Sequence, residues 1–446
     1  MMPKLSEFIQ KNHRVVEDIF SHYKKVGDSE QSRAYLGASI IGEPCERRLW
    51  YTFRGACSED FPGRIYRLFE TGDLEEIRIV KDLRDIGCTV HDVDPATGKQ
   101  FEVNDLGGHF SGHMDGCLLG LPGAEKTWHV CEFKTHNDKS YKKLVSVGVE
   151  SGFPKHYAQM QAYMHKTGMK RALYFGANKN TDEMWAERIH HGKAFAEGLI
   201  EKAKRVIFSN DLPSRLSDRA DWWECKFCPA RELCHGVGNV LPIPSVDCRQ
   251  CCHATPTLNG SARWVCSKHN RGLSKADQEK ACGDHLLIPH FLNGFDVDGY
   301  GVDGETGDDF IVYSDKDGGK FANGSHHPQY VCYSTSELIG LSRKALFSPA
   351  VAEAKRLFGA RITSPPVEDI LSKRSEDTTP VLWSGKPEDV EIAWMKLGER
   401  PIGECEAATR VDTFDYRAVE FADKIAVEWK SPGREYAGTA EIREKL

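Results

Sequence analysis

The chain predicts an α/β fold, with a mixed sheet flanked by helices, then a small metal-stapled module and a C-terminal α+β unit. Three observations carry this. Apolar and aromatic runs between Gly-rich turns, such as Trp128-His-Val-Cys-Glu-Phe-Lys-Thr-His136, read as strands and alternate with helix-period segments. Cys and His residues crowd together between Cys225 and His285. From about Phe295 the chain turns rich in Gly and Asp.

At 446 residues the chain is too long for one ordinary domain. The expected divisions are 1–240, 241–292 and 293–446. Hydrophobic residues make up 40% and charged residues 28%, as in soluble globular proteins. No apolar run reaches transmembrane length and the N-terminus lacks a signal-peptide pattern, so a cytoplasmic protein is expected. The net charge of −7 argues against indiscriminate coating of nucleic acid, but carboxylates elsewhere can hide a local basic groove. Fifteen cysteines in an intracellular chain point to metals rather than disulfides.

In chain order, residues 5–26 show helical periodicity through Leu5, Phe8, Ile9, Val15, Val16, Ile19, Phe20 and Tyr23, a packing helix. A lone Cys45 precedes another helical pattern. A longer helix follows, with Leu68, Phe69, Ile77, Val80, Leu83 and Ile86 as its apolar stripe and Glu76 one turn after Gly72. Asp115 lies between Gly112 and Gly116, before the short run Cys117-Leu-Leu119. A turn around Leu121-Pro-Gly123 would return the chain so that Asp115 meets Glu132. In strand 128–136, Trp128, Val130, Glu132 and Lys134 share one face, and His129, Cys131 and Phe133 the other. A carboxylate and an ammonium two apart in an apolar run are costly to bury without a purpose. They suit a centre in which the acid holds a divalent cation and the amine steadies a water or a phosphate. After Pro154 comes a helix with Gln159 and Tyr163 four apart on one face. Strands over 171–177 and 183–189 and a helix over 192–208 complete the layer.

Glu76, Asp115, Glu132-x-Lys134 and Gln159-x-x-x-Tyr163, in that order, resemble the PD-(D/E)XK nuclease superfamily in its RecB-like exonuclease branch. The resemblance covers roughly residues 40–236. It implies a restriction-endonuclease-like core in which these six residues surround Mg²⁺ or Mn²⁺, with the Phe133 carbonyl as a further ligand. Many relatives place a His near the helix acid. This chain offers Asp73, His109 or His113 instead.

Cys225, Cys228 and Cys234 form a C-x2-C-x5-C cluster, one thiolate short of a closed set. Cys45 is the candidate fourth. The order of one early Cys and three late ones resembles the iron–sulfur nucleases of the same branch, including those of CRISPR adaptation. That resemblance implies a [4Fe–4S] cluster, with zinc on the same thiolates as the alternative. A second group follows: Cys248, Cys251, Cys252, His253, Cys266, His269, Cys282 and His285. Knuckle spacing in so short a stretch suits a structural Zn²⁺. The preferred set is Cys248, Cys251, Cys266 and Cys282, with His269 and His285 competing for the last two seats. Nothing nearby supplies a general base in motif form.

Beyond this, the carboxylates of 296–319 lack EF-hand spacing and read as solvated turns or a hairpin. Residues 334–359 read as a helix, 363–380 as a Pro-, Ser- and Asp-rich segment, and 424–429 as a strand. The leading functional reading is a metal-dependent exonuclease acting on DNA ends in recombination, repair or phage DNA processing, with a recombination or replication protein as a possible partner. A structure-specific endonuclease of the same fold is the second. A non-catalytic, metal-stapled DNA-binding scaffold is the third.

Overall fold

A computed structural model describes residues 5–29, 33–57, 61–238, 240–243 and 245–362, then strands between 381 and 442 as backbone. Two compact units emerge. The first comprises Met1–Ser217, Thr255–Val265 and Asn270–Leu273; the second comprises Asp218–Ala254, Cys266–His269 and Ser274–Leu446.

The first unit runs α1 (Leu5–Ser29), β1 (Leu36–Gly37), α2 (Glu46–Phe53), α3 (Gly63–Asp85), β2 (Thr89–His91), β3 (Glu102–Asp105), β4 (Phe110–His113), β5 (Gly116–Leu119), β6 (His129–His136), α4 (Asp138–Gly152), α5 (Pro154–Thr167), β7 (Arg171–Asn178), β8 (Met184–His190) and α6 (Lys193–Phe208). Its main sheet has the order β2-β5-β6-β7-β8. Only β6 and β7 run parallel, from Val130 opposite Ala172 to His136 opposite Asn178, because α4 and α5 supply the crossover that parallel neighbours require. The central β6 is buried on both faces over His129–Phe133. On one face Cys131, Phe133 and Leu173 pack with Ile79, Val80 and Leu83 of α3. That leaves Val130, Glu132 and Lys134 for the other face, as the alternation predicts.

The apolar stripe expected for α3 is only half right. Val80 and Leu83 are buried and Leu68 is half-buried, but Phe69, Ile77 and Ile86 are exposed, and Ile79, outside the expected stripe, is buried. Phe69 instead joins Phe61 and Tyr66 in an edge-to-face ring cluster outside the core. Gly63, at the head of α3, lets α1 come close. A Cβ there would stand 1.7 Å from the Phe20 carbonyl oxygen. Pro154 opens α5, and Gly168, at φ 76°, closes it. Trp128 lies just outside β6, stacked on His91.

Residues Thr255–Val265 also belong to the first unit. Trp264 is wholly buried, stacked on Phe53 at 5.5 Å between ring centres and edge-on to His109. The Arg54 guanidinium lies 5.2 Å from its ring centre. Trp264→Ala is therefore expected to destabilise the first unit by about 3–5 kcal/mol, read by chemical denaturation followed through near-UV circular dichroism.

The second unit holds α7 (Trp223–Lys226) and α8 (Arg231–His235). Strands β9 (Ala254–Pro256), β10 (Trp264–Cys266) and β11 (Arg271–Leu273), most of whose residues belong to the first unit, form a small sheet in the order β11-β10-β9. Then come α9 (Lys275–Lys280), β12 (Asp296–Val302), β13 (Asp309–Ser314), β14 (Lys320–Gly324) and β15 (Cys332–Tyr333), the last four making one sheet. The acidic residues expected to form turns do so. Asp303 Oδ1 accepts the Glu305 and Thr306 N–H groups, each at 2.9 Å, and Asp315 Oδ1 accepts that of Gly319 at 2.7 Å. The single helix expected over 334–359 is instead three, α10 (Thr335–Leu338), α11 (Arg343–Leu346) and α12 (Pro349–Phe358). Gly340 at φ 67° ends the first, and Pro349 starts the third. Beyond β16 (Arg361–Ile362), strands β17 (Val381–Ser384), β18 (Glu391–Trp394), β19 (Gly403–Glu404), β20 (Asp415–Phe421), β21 (Lys424–Lys430) and β22 (Ala437–Ile442) form a seven-stranded sheet with β16. The segment 363–380 lies outside the described residues. Among the described residues no helix is long and apolar enough to cross a membrane.

Candidate active site

The β5–β6 ladder ends where Gly116 pairs with Cys131. Beyond that point the Phe133 N–H has no main-chain partner on the β5 side, and Asp115 supplies one, its Oδ2 accepting this N–H at 2.7 Å. Asp115 and Glu132 thus come together by strand register, as the Asp…Glu-x-Lys pattern predicts. Lys134 Nζ lies 2.8 Å from Glu132 Oε1, 3.3 Å from Asp115 Oδ2 and 2.8 Å from the Phe133 carbonyl oxygen, to which it donates. The Phe133 carbonyl, expected as a metal ligand, therefore accepts from Lys134 here.

Glu132 is fully buried, and the Lys134 ammonium at 2.8 Å from Oε1 is its one close polar partner among the described residues. Burial pushes its carboxyl up to about 8 against the pull of Lys134, and the negative charges of Asp115 and Glu76 push the same way. Glu76, half-buried on α3, is raised to about 7 by burial and then by Asp115, opposed by Lys134. Burial disfavours the charge on Lys134, but Glu132, Asp115 and Glu76 outweigh it and raise its pKa. One ammonium cannot neutralise three acids, so Glu132 and Glu76 hold their protons to higher pH than free carboxyls do. A buried carboxyl grouped with two further acids supplies the oxygen donors that suit a hard divalent cation.

On α5, Gln159 Nε2 donates to the Tyr163 hydroxyl at 3.3 Å, and that hydroxyl donates to the His113 carbonyl at 2.8 Å. Burial, followed by the charge of Glu132, raises the Tyr163 pKa. The pair therefore stands beside the acids and anchors the end of β4, two residues before Asp115. Gly112 permits this approach, since a Cβ there would stand 2.7 Å from the Tyr163 hydroxyl.

Of Asp73, His109 and His113, Asp73 acts on the acids, adding to the upward push on Glu76. His109 does not belong to the centre. It is wholly buried, with Nε2 at 3.0 Å and 3.2 Å from the carbonyls of Thr257 and Arg263. His113 contributes its carbonyl to Tyr163.

The sequence reading missed a layer behind Lys134. The Tyr174 hydroxyl lies 2.9 Å from His136 Nε2 and 2.9 Å from His156 Nδ1. Burial and then the charge of Lys134 lower these imidazoles to about 4 and about 3. Both rings are neutral at pH 7, so they add no charge to compete with Lys134. The available signal was strand alternation, which puts His136 on the Lys134 face.

No protein-family model matches the chain, and no curated protein does. Among solved structures, the chain is similar to the crystal structure of SSO0001 at 15% identity and a TM-score of 0.31, over 49% of this chain and 96% of the other. It is similar to LHK-Exo in complex with dAMP at 14% identity and a TM-score of 0.28, over 43% of this chain and 90% of that one. The alkaline exonuclease LHK-Exo from Laribacter hongkongensis gives 15% identity, the same TM-score of 0.28 and the same coverage.

The other predicted ligands are placed as follows. In the first unit, Cys45 caps α2, its sulfur accepting the Arg48 N–H at 3.4 Å. In the second, Cys225 and Cys228 are partly exposed around α7 and Cys234 is buried on α8. The Cys228 N–H donates to the Cys225 carbonyl at 3.1 Å, closing a tight C-x2-C turn. Cys248, Cys251 and Cys266 are buried, Cys282 and His269 exposed. His285 is buried with both nitrogens engaged, Nδ1 at 3.0 Å from Thr335 Oγ1 and Nε2 at 2.9 Å from the Asp247 carbonyl.

Proposed function

We propose that the first unit is a divalent-metal-dependent deoxyribonuclease that hydrolyses phosphodiester bonds at DNA ends. The observation that carries this is Glu132, a fully buried carboxyl whose close partner is the Lys134 ammonium and which shares its surroundings with Asp115 and Glu76. Asp115, Glu132 and Glu76 would hold Mg²⁺ or Mn²⁺, which when bound acidifies a water and offsets charge on the phosphate. Lys134 keeps its proton and presents a fixed positive charge where the phosphate oxygens gain negative charge. Gln159 and Tyr163 hold the β4 end, and so Asp115, in register. His136, Tyr174 and His156 pack behind the amine as neutral hydrogen-bonding groups.

The choice of DNA ends follows the motif resemblance. Its test is a timed digest of end-labelled linear duplex and of covalently closed circular single strand, with Mg²⁺, Mn²⁺ or EDTA. Loss of linear substrate only, and only with metal, is the expected result. Cutting of the circle would make the protein an endonuclease of the same chemistry. Binding without cleavage in either metal would make it a scaffold.

For the thiolates Cys225, Cys228 and Cys234 we propose a role as ligands of a structural [4Fe–4S] cluster, supported by their spacing and the motif resemblance. Iron and acid-labile sulfide analysis after anaerobic purification tests it. Zinc in place of iron would assign the same ligands to a different metal.

A further inference from the structure

The second unit gathers soft donors, where the nuclease centre is all oxygen. Cys248 opens a 3-10 turn, Cys248–Gln250, capped by Asp247. This turn brings the Cys251 N–H to the Cys248 carbonyl at 3.0 Å, closing a C-x2-C knuckle. Cys251 Sγ accepts the Leu286 N–H at 3.4 Å, a contact that favours thiolate over thiol. Cys251 also pairs with Leu287 in an isolated bridge, and the Cys252 N–H donates to the Leu286 carbonyl at 2.8 Å. The segment that begins at Cys282 is therefore fastened to the knuckle. At its head, Cys282 Sγ lies 3.5 Å from His269 Nε2, and the same nitrogen lies 3.3 Å from Asp284 Oδ2. These three donor atoms lie within 4.8 Å of one another.

That sulfur–nitrogen spacing is the edge of a coordination tetrahedron. With Zn–S about 2.3 Å and Zn–N about 2.0–2.1 Å at a tetrahedral angle, the two ligand atoms stand about 3.5 Å apart. We propose that the second unit holds a structural zinc ion on Cys248, Cys251, His269 and Cys282. Three thiol protons leave to solvent as the ion binds, and no electron is transferred. The ion ties the knuckle to the two segments carrying His269 and Cys282. Cys266 stands outside the set. The contact at the head of the segment joins Cys282 to His269, and the Cys248 and Cys251 knuckle fills the two remaining seats. His285 is excluded because its ring is already held on both nitrogens. Asp284, beside the His269 nitrogen, lends negative charge to the cation without taking a seat.

The test is elemental analysis of the full chain after dialysis, with Co²⁺ exchange as a second readout. Cys282→Ser and His269→Ala are each expected to lose one equivalent of zinc relative to wild type, and Cys266→Ser to keep it. His269→Cys is expected to retain the ion and to strengthen the thiolate-to-cobalt charge-transfer absorption, which shows that the fold survives substitution there. Zinc retained in full by Cys282→Ser, or an equivalent lost from Cys266→Ser, would overturn the assignment. DNA cleavage is no part of this readout, so the two proposals fail separately.

Discussion

Lys134→Ala and Asp115→Asn are each expected to lower DNA hydrolysis by a factor of about 10²–10³ or more at saturating Mg²⁺, with the fold retained. Lys134 is the only ammonium in contact with Glu132 and Asp115 among the described residues. Removing it takes away fixed positive charge from the place where the transition state gains negative charge. Breaking a buried ion pair ordinarily destabilises a protein strongly, because one charge is stranded. Here the stranded group has an escape. Glu132 already holds its proton to about pH 8, and without Lys134 it would simply stay neutral at pH 7. Asp115→Asn keeps an oxygen to accept the Phe133 N–H, so the ladder end survives. Rate constants on end-labelled duplex, beside circular dichroism melts, check both halves. Wild-type rates in either variant would remove the centre from the reaction.

The second large effect is the dependence of metal-free stability and metal affinity on pH. The Glu132 carboxyl titrates at an ordinary 4.5 when unfolded and near 8 when folded, and Glu76 near 7 when folded. Between those values the folded state holds more protons than the unfolded one, so stability falls as pH rises through the window. Below the unfolded value both states are protonated and the penalty vanishes; above about 8 it is complete. Metal-free Glu132→Gln, which has no proton to lose, is expected to melt several degrees above wild type at pH 8.5 and to converge with it near pH 4. Adding Mn²⁺ should reverse the order at pH 8.5, since only wild type gains the ion. Cation affinity in wild type should fall about tenfold per pH unit below 8 and more steeply below 7, as first one proton and then two must leave. Calorimetry at several pH values in buffers of different ionisation enthalpy measures both the affinity and the protons released. A flat profile would mean the acids do not hold the metal.

Much of this centre was legible because its geometry is local. Strand alternation puts Glu132 beside Lys134, and helical spacing puts Gln159 beside Tyr163. What escaped depends on distant partners. The His136–Tyr174–His156 contacts join β6, β7 and α5, and only the parallel pairing of those strands brings them together. His109 was a reasonable metal candidate until the fold supplied the Thr257 and Arg263 carbonyls, some 150 residues downstream, as its partners. Phe69 and Ile77 of α3 fit an apolar period yet face outward, because burial on this helix is confined to the turns that meet β6. The soft-metal group was visible as a crowd of donors. Which of them share an ion depends on how the turns close, and His285 dropped out only once Thr335 was seen against its ring.

Asp115 performs two services with one carboxylate. Its Oδ2 completes the hydrogen bonding at the open end of the β5–β6 pairing, while the group as a whole belongs to the acid cluster. The reactive centre therefore has no independent mounting. Its position is the strand register itself, and a slip of one residue would dismantle both together. Anyone seeking to silence the chemistry while preserving the architecture must substitute an isostere at 115; an alanine there would pull a rivet as well as a tooth.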